Sequence, residues 1–228
     1  MEKESGVAEG DIPTTRETTR KPTRRRPPRF ELIGGPVCLD FVNTLDDRYS
    51  HEPKELLKGY IDLARFAEDA GILTEQQVDR LFARSMESPE PAQRALTAAI
   101  QMREAMYEVL WALVKKKPVP PAALILLNQY VQGAAQHMRL MPGRGHFEWQ
   151  FDSSPNNFEA PLWPIARSAA ELLASDSVEY VRACASKTCE WLFLDESKNH
   201  RRRWCDMTKC GNRAKVKRFY TRKKKASS

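Results

Sequence analysis

No part of this sequence is apolar for the roughly eighteen residues that a bilayer-crossing helix needs. Its opening, MEKESGVAEG, carries none of the apolar run of a secretory leader. The chain is therefore expected to be soluble and cytoplasmic, in a compartment where cysteines stay reduced. Glycine is sparse, with 10 residues, and nowhere forms a phosphate-cradling loop. The 4 histidines are not set with serine and aspartate in a nucleophilic pattern. These absences argue against an enzyme and for a binding protein.

Cysteine is scarce as well, with 5 in 228 residues, but its distribution is not random. Cys184 and Cys189 form one pair and Cys205 and Cys210 a second, each with four residues between its members and fifteen between the pairs. Thiolates two to four residues apart can turn to one side of a tight loop, and two such loops complete a tetrahedral sulfur site for one structural Zn2+. Trp191, Leu192, Phe193 and Trp204 lie between the pairs and supply a miniature core. A segment this small seldom folds without such a staple. Two disulfides, or His200 replacing one sulfur, are the alternatives that spacing leaves open; a redox pair is disfavoured because no C-x-x-C is present. Cys38 stands apart and reads as a small core residue.

The run from residue 184 to 217, and above all Cys210, Gly211, Asn212 and Arg213, resembles the CGNR-type zinc finger of bacterial proteins. Upstream, GGPVCLDFVNTLDDR (residues 34–48), Arg103 and Glu104 in MREAMYEVL, and LWPIARSAAELL (residues 162–173) resemble the ABATE domain that accompanies that finger. The resemblance spans roughly residues 30 to 220. It implies a transcription regulator in which an N-terminal domain senses a small ligand and the finger binds DNA. Glu190 departs from the glycine expected after the second cysteine, which bears on the loop's geometry and not on the ligand set.

Charge is distributed to match. Residues 182–228 hold 15 lysines and arginines against 4 acids, whereas residues 30–181 hold 14 against 21. A local excess of that size points to a polyanionic partner. Residues 1–29 are rich in Pro, Thr, Ser and Arg and read as a disordered basic tail, as do residues 223–228. Between them the sequence predicts a helical domain over residues 30–180 and the finger over 181–222, in a mainly α fold with one small β hairpin (α+β).

In chain order, FELIGG is expected as a short strand, and VCLDFVNTL as a buried helix or strand start. Residues 54–70 carry Leu56, Tyr60, Leu63, Ala67 and Ala70 at helical spacing, with Gly71 as the stop. Thr74 and Gln77 form a capping-box pattern ahead of Val78, Leu81 and Phe82. Ser88 and Pro89 open a long helix expected to reach about Lys116. A further helix covers 119–135 with Leu124, Leu127 and Val131 inward. HMRLM and HFEWQF then make a hairpin around PGRG, and a helix follows over 159–174.

In the long helix, Arg103 falls within the apolar stripe of Leu96, Ile100, Tyr107, Leu110 and Val114. A buried arginine must be paired. Its partner is either an internal acid such as Asp40 or the anionic group of a bound effector. Asp40 and Asn43, three residues apart, read either as pocket-lining or as capping and bonding neighbouring loops, and together with Arg103 and Glu104 they are the candidate pocket residues. Adjacent positions do not face each other on a helix, so Arg103 and Glu104 need not be mutual partners.

In the finger, a helix is expected from Gly211 to Thr221 with Val216, Phe219 and Tyr220 inward. Arg213 with Lys217, and Arg218 with Arg222, are like-charged pairs four apart, which weaken an isolated helix unless an anion relieves them. Arg201, Arg202 and Arg203, with Lys215, Lys217, Arg218 and Lys224, are assigned to phosphates. Asn212 or Arg213 is assigned to a base edge, with folding back onto the finger and helix capping as their alternatives. The partner is expected to be DNA, with RNA as the rival.

Overall fold

The computed structural model describes residues 29–151 and 157–226. The expected N-terminal tail lies outside them except for Arg29, whose guanidinium donates to Asp62 at 2.5 Å and whose amide donates to Asp69 at 2.7 Å.

The first domain is built around α4 (Pro89–Val114), which opens with proline in its first turn. Against it pack α1 (Val37–Val42), α2 (Tyr60–Asp69), α3 (Glu75–Glu87), α5 (Pro121–Gln136) and α6 (Leu162–Leu173). Its buried face, with Leu96, Ala99, Met102, Met106 and Leu110, is the spine of the core. The capping box at α3 forms as expected, with the Gln77 amide donating to Thr74 Oγ1 and the Thr74 amide to Gln77 Oε1. α6 buries Leu162, Ile165, Ala169 and Leu172, the four positions read from its period. Strands β3 (Met138–Pro142) and β4 (Phe147–Phe151) form the expected antiparallel hairpin, with Arg139 opposite Gln150 and Met141 opposite Glu148.

Several expectations fail locally. Residues 30–35 form no strand, the chain bending at Phe30 and again at Gly34 and Gly35. The helix expected from residue 54 begins only at Tyr60, because Lys54 and Glu55 form β2 (Lys54–Glu55) against β1 (Leu45–Asp46). This extension carries the Glu55 carboxylate to Arg103. Leu124 and Phe82 face outward, and α5 instead buries Ala123, Leu127 and Ala134. No helix among the described residues is long and apolar enough to cross a membrane.

A 3-10 turn (Asp176–Tyr180) leads into β5 (Val181–Ala183), which pairs antiparallel with β6 (Leu192–Leu194). Val181 and Leu192 lie in the first domain's core, so this hairpin is shared between domain and finger. A wide π turn (Met207–Gly211) then passes into α7 (Asn212–Ala226). α7 runs beyond the expected end at Thr221, into the segment read as a tail. Its apolar residues do not pack inward: Val216, Phe219 and Tyr220 are 55%, 64% and 65% exposed.

A four-cysteine metal centre and the face it organises

The hairpin of β5 and β6 delivers two of the four cysteines. Cys184 follows β5, and its amide donates to the Trp191 carbonyl at 2.8 Å. The chain then turns tightly, with the amides of Cys189 and Glu190 both donating to the Ser186 carbonyl. Glu190 takes a left-handed conformation with φ of 52°, which is the strain a glycine would avoid. Of the other two cysteines, Cys205 lies just before the π turn and Cys210 within it. Asp206 starts it by accepting from the Thr208 amide and hydroxyl at 2.6 and 2.7 Å, and the Thr208 hydroxyl, with the amides behind it, holds its pKa below the usual carboxylate range.

All four sulfurs are buried and lie within 4.8 Å of one another. Cys189 Sγ is 3.6 Å from Cys205 Sγ, which is 3.8 Å from Cys210 Sγ. Four sulfurs at about 2.3 Å from a tetrahedral zinc are about 3.8 Å apart. The separations therefore match a Zn(Cys)4 cage and are far from the ~2.05 Å of a disulfide bond. Without a cation the cage cannot hold four charges: the Cys189 and Cys205 thiols share protons with Cys184. Hydrogen bonds from Cys189 and Cys205 favour the Cys184 thiolate and lower its pKa, while those of Cys189 and Cys205 are raised. A divalent ion removes that conflict by accepting every sulfur as thiolate. His200 is not a ligand, since its Nδ1 lies 2.7 Å from the Asp195 carbonyl and its ring stacks on Tyr180. Cys38 is fully buried and burial raises its thiol to about 11, so it stays inert as expected.

The CGNR residues serve the cage itself. Arg213 Nη2 donates to Cys210 Sγ at 3.3 Å, placing a positive charge against the thiolates, and Asn212 Nδ2 donates to the Thr208 carbonyl at 2.9 Å. Both residues assigned to base edges thus have their polar ends turned onto the finger. Arg202 is also committed internally: Nε donates to the Trp204 carbonyl, Nη2 to that of Cys205, and the guanidinium sits 4.7 Å over the Phe193 ring. The Arg202 amide is held by Asp195 at 2.8 Å.

Other cations remain outward. Arg201, Lys215 and Lys217 are exposed and take no anionic partner among the described residues. Arg203 and Arg218 flank the Trp204 ring, at 5.2 and 6.0 Å. Lys187, which sequence reasoning missed, projects from the Cys184–Cys189 loop with no anionic partner among the described residues; its place between two ligands is the signal that could have found it. It joins Ser186, Thr188, Thr208, Lys209 and Lys217 around a groove of about 900 Å³ between that loop and α7. The Lys224 side chain lies outside the described ones.

The four pocket candidates meet the protein's own atoms. Arg103 is 2% exposed and forms a two-point pair with Glu55, at 2.6 and 2.7 Å, rather than with Asp40. Its Nη1 also reaches Thr44 Oγ1 at 3.3 Å, and its Nε donates to Glu104 Oε1 at 2.9 Å, so the adjacent pair are mutual partners after all. Arg48 closes the network on Glu104 from the other side, lying 3.9 Å over the Tyr107 ring. All three nitrogens of the Arg103 guanidinium thus meet acceptors within the chain, which is the internal-acid alternative with Glu55 in the place expected of Asp40. Asp40 accepts the Gly34 amide at 2.7 Å, and burial pushes its carboxyl up to about 6. A Cβ on Gly34 would lie 2.9 Å from the Leu39 Cβ, so only glycine allows this approach.

Asn43 joins the two domains. Its Nδ2 donates to the Leu192 carbonyl and its Oδ1 accepts the Leu192 amide, both at 2.9 Å and both buried. Beside this clamp the Leu194 amide donates to the Gly34 carbonyl, Trp191 Nε1 to Asp46 at 2.8 Å, and Lys209 pairs with Glu31.

A helical domain clamped onto a four-cysteine centre, with exposed cations on the finger, defines a zinc-binding protein. The family model described as "Putative stress-induced transcription regulator" (ABATE) matches residues 35–176, and that of the CGNR zinc finger matches 180–223. The chain belongs to the ABATE family and carries a CGNR zinc finger with one structural zinc. No curated protein matches it.

Proposed function

We infer that this protein is a zinc-dependent, DNA-binding transcription regulator and not an enzyme. The observation that carries this reading is the set of cations that the fold leaves unneutralised. Lys187, Arg201, Lys215 and Lys217 all sit on the finger, and none has an anionic partner among the described residues. Clustered free cations gain little from one another and much from a phosphate backbone, whose counterions they displace. The zinc supplies geometry: it fixes the loop bearing Lys187 against the start of α7, which bears Lys215 and Lys217. All four sulfurs are ligands, so the metal keeps no open position for chemistry. The first domain acts as the sensing element in this reading, because the Asn43 clamp makes any rearrangement of α1 a displacement of β6.

Truncation before Val181 would remove core residues, so the test keeps the full chain. Fluorescence anisotropy with labelled 20-nucleotide DNA should show the Lys187→Glu, Lys215→Glu, Lys217→Glu triple variant binding at least about a hundredfold more weakly than the parent at low salt, with zinc content unchanged. Equal affinity for parent and variant would overturn the reading.

A further inference from the structure

Among the described residues, the aromatic rings of α7 stack on no ring of another element and stay exposed. Val216, Phe219 and Tyr220 fall at i, i+3 and i+4, on one stripe of a helix in which eight of the other twelve residues are lysine or arginine. Phe219 and Tyr220 meet each other edge to face at 5.6 Å, the one ring contact of either among the described residues. A third ring, Trp204, lies beside α7, with the guanidiniums of Arg203 and Arg218 at 5.2 and 6.0 Å from its centroid. Rings interleaved with unneutralised cations need an anionic ligand that also has flat apolar faces.

A duplex does not meet that need, because its base faces are stacked on one another and only edges and phosphates are offered outward. An unpaired strand offers both, and base-on-ring stacking is the usual complement to a cationic track. The finger has such a track. The groove beside the Cys184–Cys189 loop, about 900 Å³, shares Ala185, Ala214 and Lys217 with a second groove of about 430 Å³ that holds Arg203, Trp204 and Arg218. Small residues at the shared edge keep the passage open, and Lys217 faces both sides. Volumes of this order suit ligands the size of nucleotides taken one after another.

We propose that the finger takes a single strand of nucleic acid with its bases unpaired, its phosphates running past Lys187 and Lys217 and its bases stacking on Trp204, Phe219 and Tyr220. This rests on the nucleic-acid reading above and specifies the form of the ligand. The test uses zinc-loaded full-length protein and three labelled 20-nucleotide probes: oligo-dT, oligo-U and a mixed-sequence DNA duplex. The single strands should bind at least about tenfold more tightly than the duplex; the preferred one tells whether deoxyribose or ribose is favoured, and either supports the proposal. Phe219→Ala and Tyr220→Ala should each weaken single-strand binding by about tenfold and leave zinc content and duplex binding unchanged. If duplex binds as tightly and the two variants are silent, this proposal fails while the nucleic-acid reading stands. If no probe binds, both fail. If Phe219→Ala instead dissociates a dimer in sedimentation, the stripe belongs to a second copy of the chain and the proposal is overturned.

Discussion

Replacing Asn43 by alanine tests whether finger and helical domain are one cooperative body. Leu192 sits on β6, whose other edge is occupied by β5, so the Asn43 side chain is what satisfies its amide and carbonyl on the side facing α1. Asn43 is 5% exposed and Leu192 fully buried, so water cannot replace the lost groups without opening the interface. Each buried polar group left unsatisfied costs about 1–3 kcal/mol. Two of them give about 2–6 kcal/mol, and a gain from relaxation places the expected loss at about 3 kcal/mol. For a chain of this length that lowers Tm by roughly 6–12 °C. Thermal unfolding of the zinc-loaded protein, followed by circular dichroism and by release of zinc to a chromogenic chelator, should show both signals move down together. Asn43→Asp should be no better, because it keeps an acceptor for the Leu192 amide but sets a second oxygen against the Leu192 carbonyl. A loss under half a kcal/mol for Asn43→Ala would refute the reasoning, as would a helical domain whose melting is unmoved while zinc leaves earlier.

The Arg103 pair should break asymmetrically. The Arg103 side chain is 2% exposed and that of Glu55 34%, so Glu55→Ala strands a buried cation and should cost about 3 kcal/mol in urea unfolding, tempered by Glu104. Arg103→Met leaves carboxylates that can turn to water and should cost less than half as much; equal costs would contradict the network. Arg213→Ala removes the donor to Cys210 Sγ and should weaken zinc affinity roughly 10- to 100-fold in a competition titration without unfolding the first domain. Asp40 has a folded pKa raised to about 6 by burial, above its ordinary 3.8, so the folded state holds a proton that the unfolded state releases between those values. Its contribution is fully present below pH ~4 and is lost as pH rises through ~6. Asp40→Asn keeps an acceptor for Gly34, so its stability relative to the parent should grow by on the order of 2 kcal/mol from pH 4 to pH 7 and then level off. A difference that does not change with pH would remove Asp40 from the account.

Elements whose determinants are local were legible in the sequence. The cysteine spacing identified the cage, since two short loops with one ligand type leave few arrangements. Thr74 and Gln77 marked the start of α3, and the period of Leu162, Ile165, Ala169 and Leu172 gave the buried face of α6. What escaped was set by contacts distant in sequence. Residues 54–58 have the apolar spacing of a helix, but Glu55 is drawn to an arginine 48 positions away, and the extended β2 follows from that pairing. Asn43 reads as a loop-capping or pocket residue because its partner lies 149 positions on. Val216, Phe219 and Tyr220 have the spacing of a buried stripe, yet the finger offers them no opposing surface, since the metal rather than an apolar core fixes its shape. In the same way Asn212 and Arg213, whose residue types suggest base contacts, are engaged by the turn and the sulfur beside them.

The central claim is that zinc assembles a cationic face for a phosphate backbone, and the salt dependence of binding with and without the metal tests it most directly. With Lys187, Arg201, Arg203, Lys215 and Lys217 engaged, the logarithm of the single-strand association constant should fall with the logarithm of salt concentration with a slope of about −3 to −4. Chelation of the zinc should collapse that slope toward zero together with the affinity. A slope that is already shallow in the zinc-loaded protein, or one that survives removal of the metal, would contradict the account.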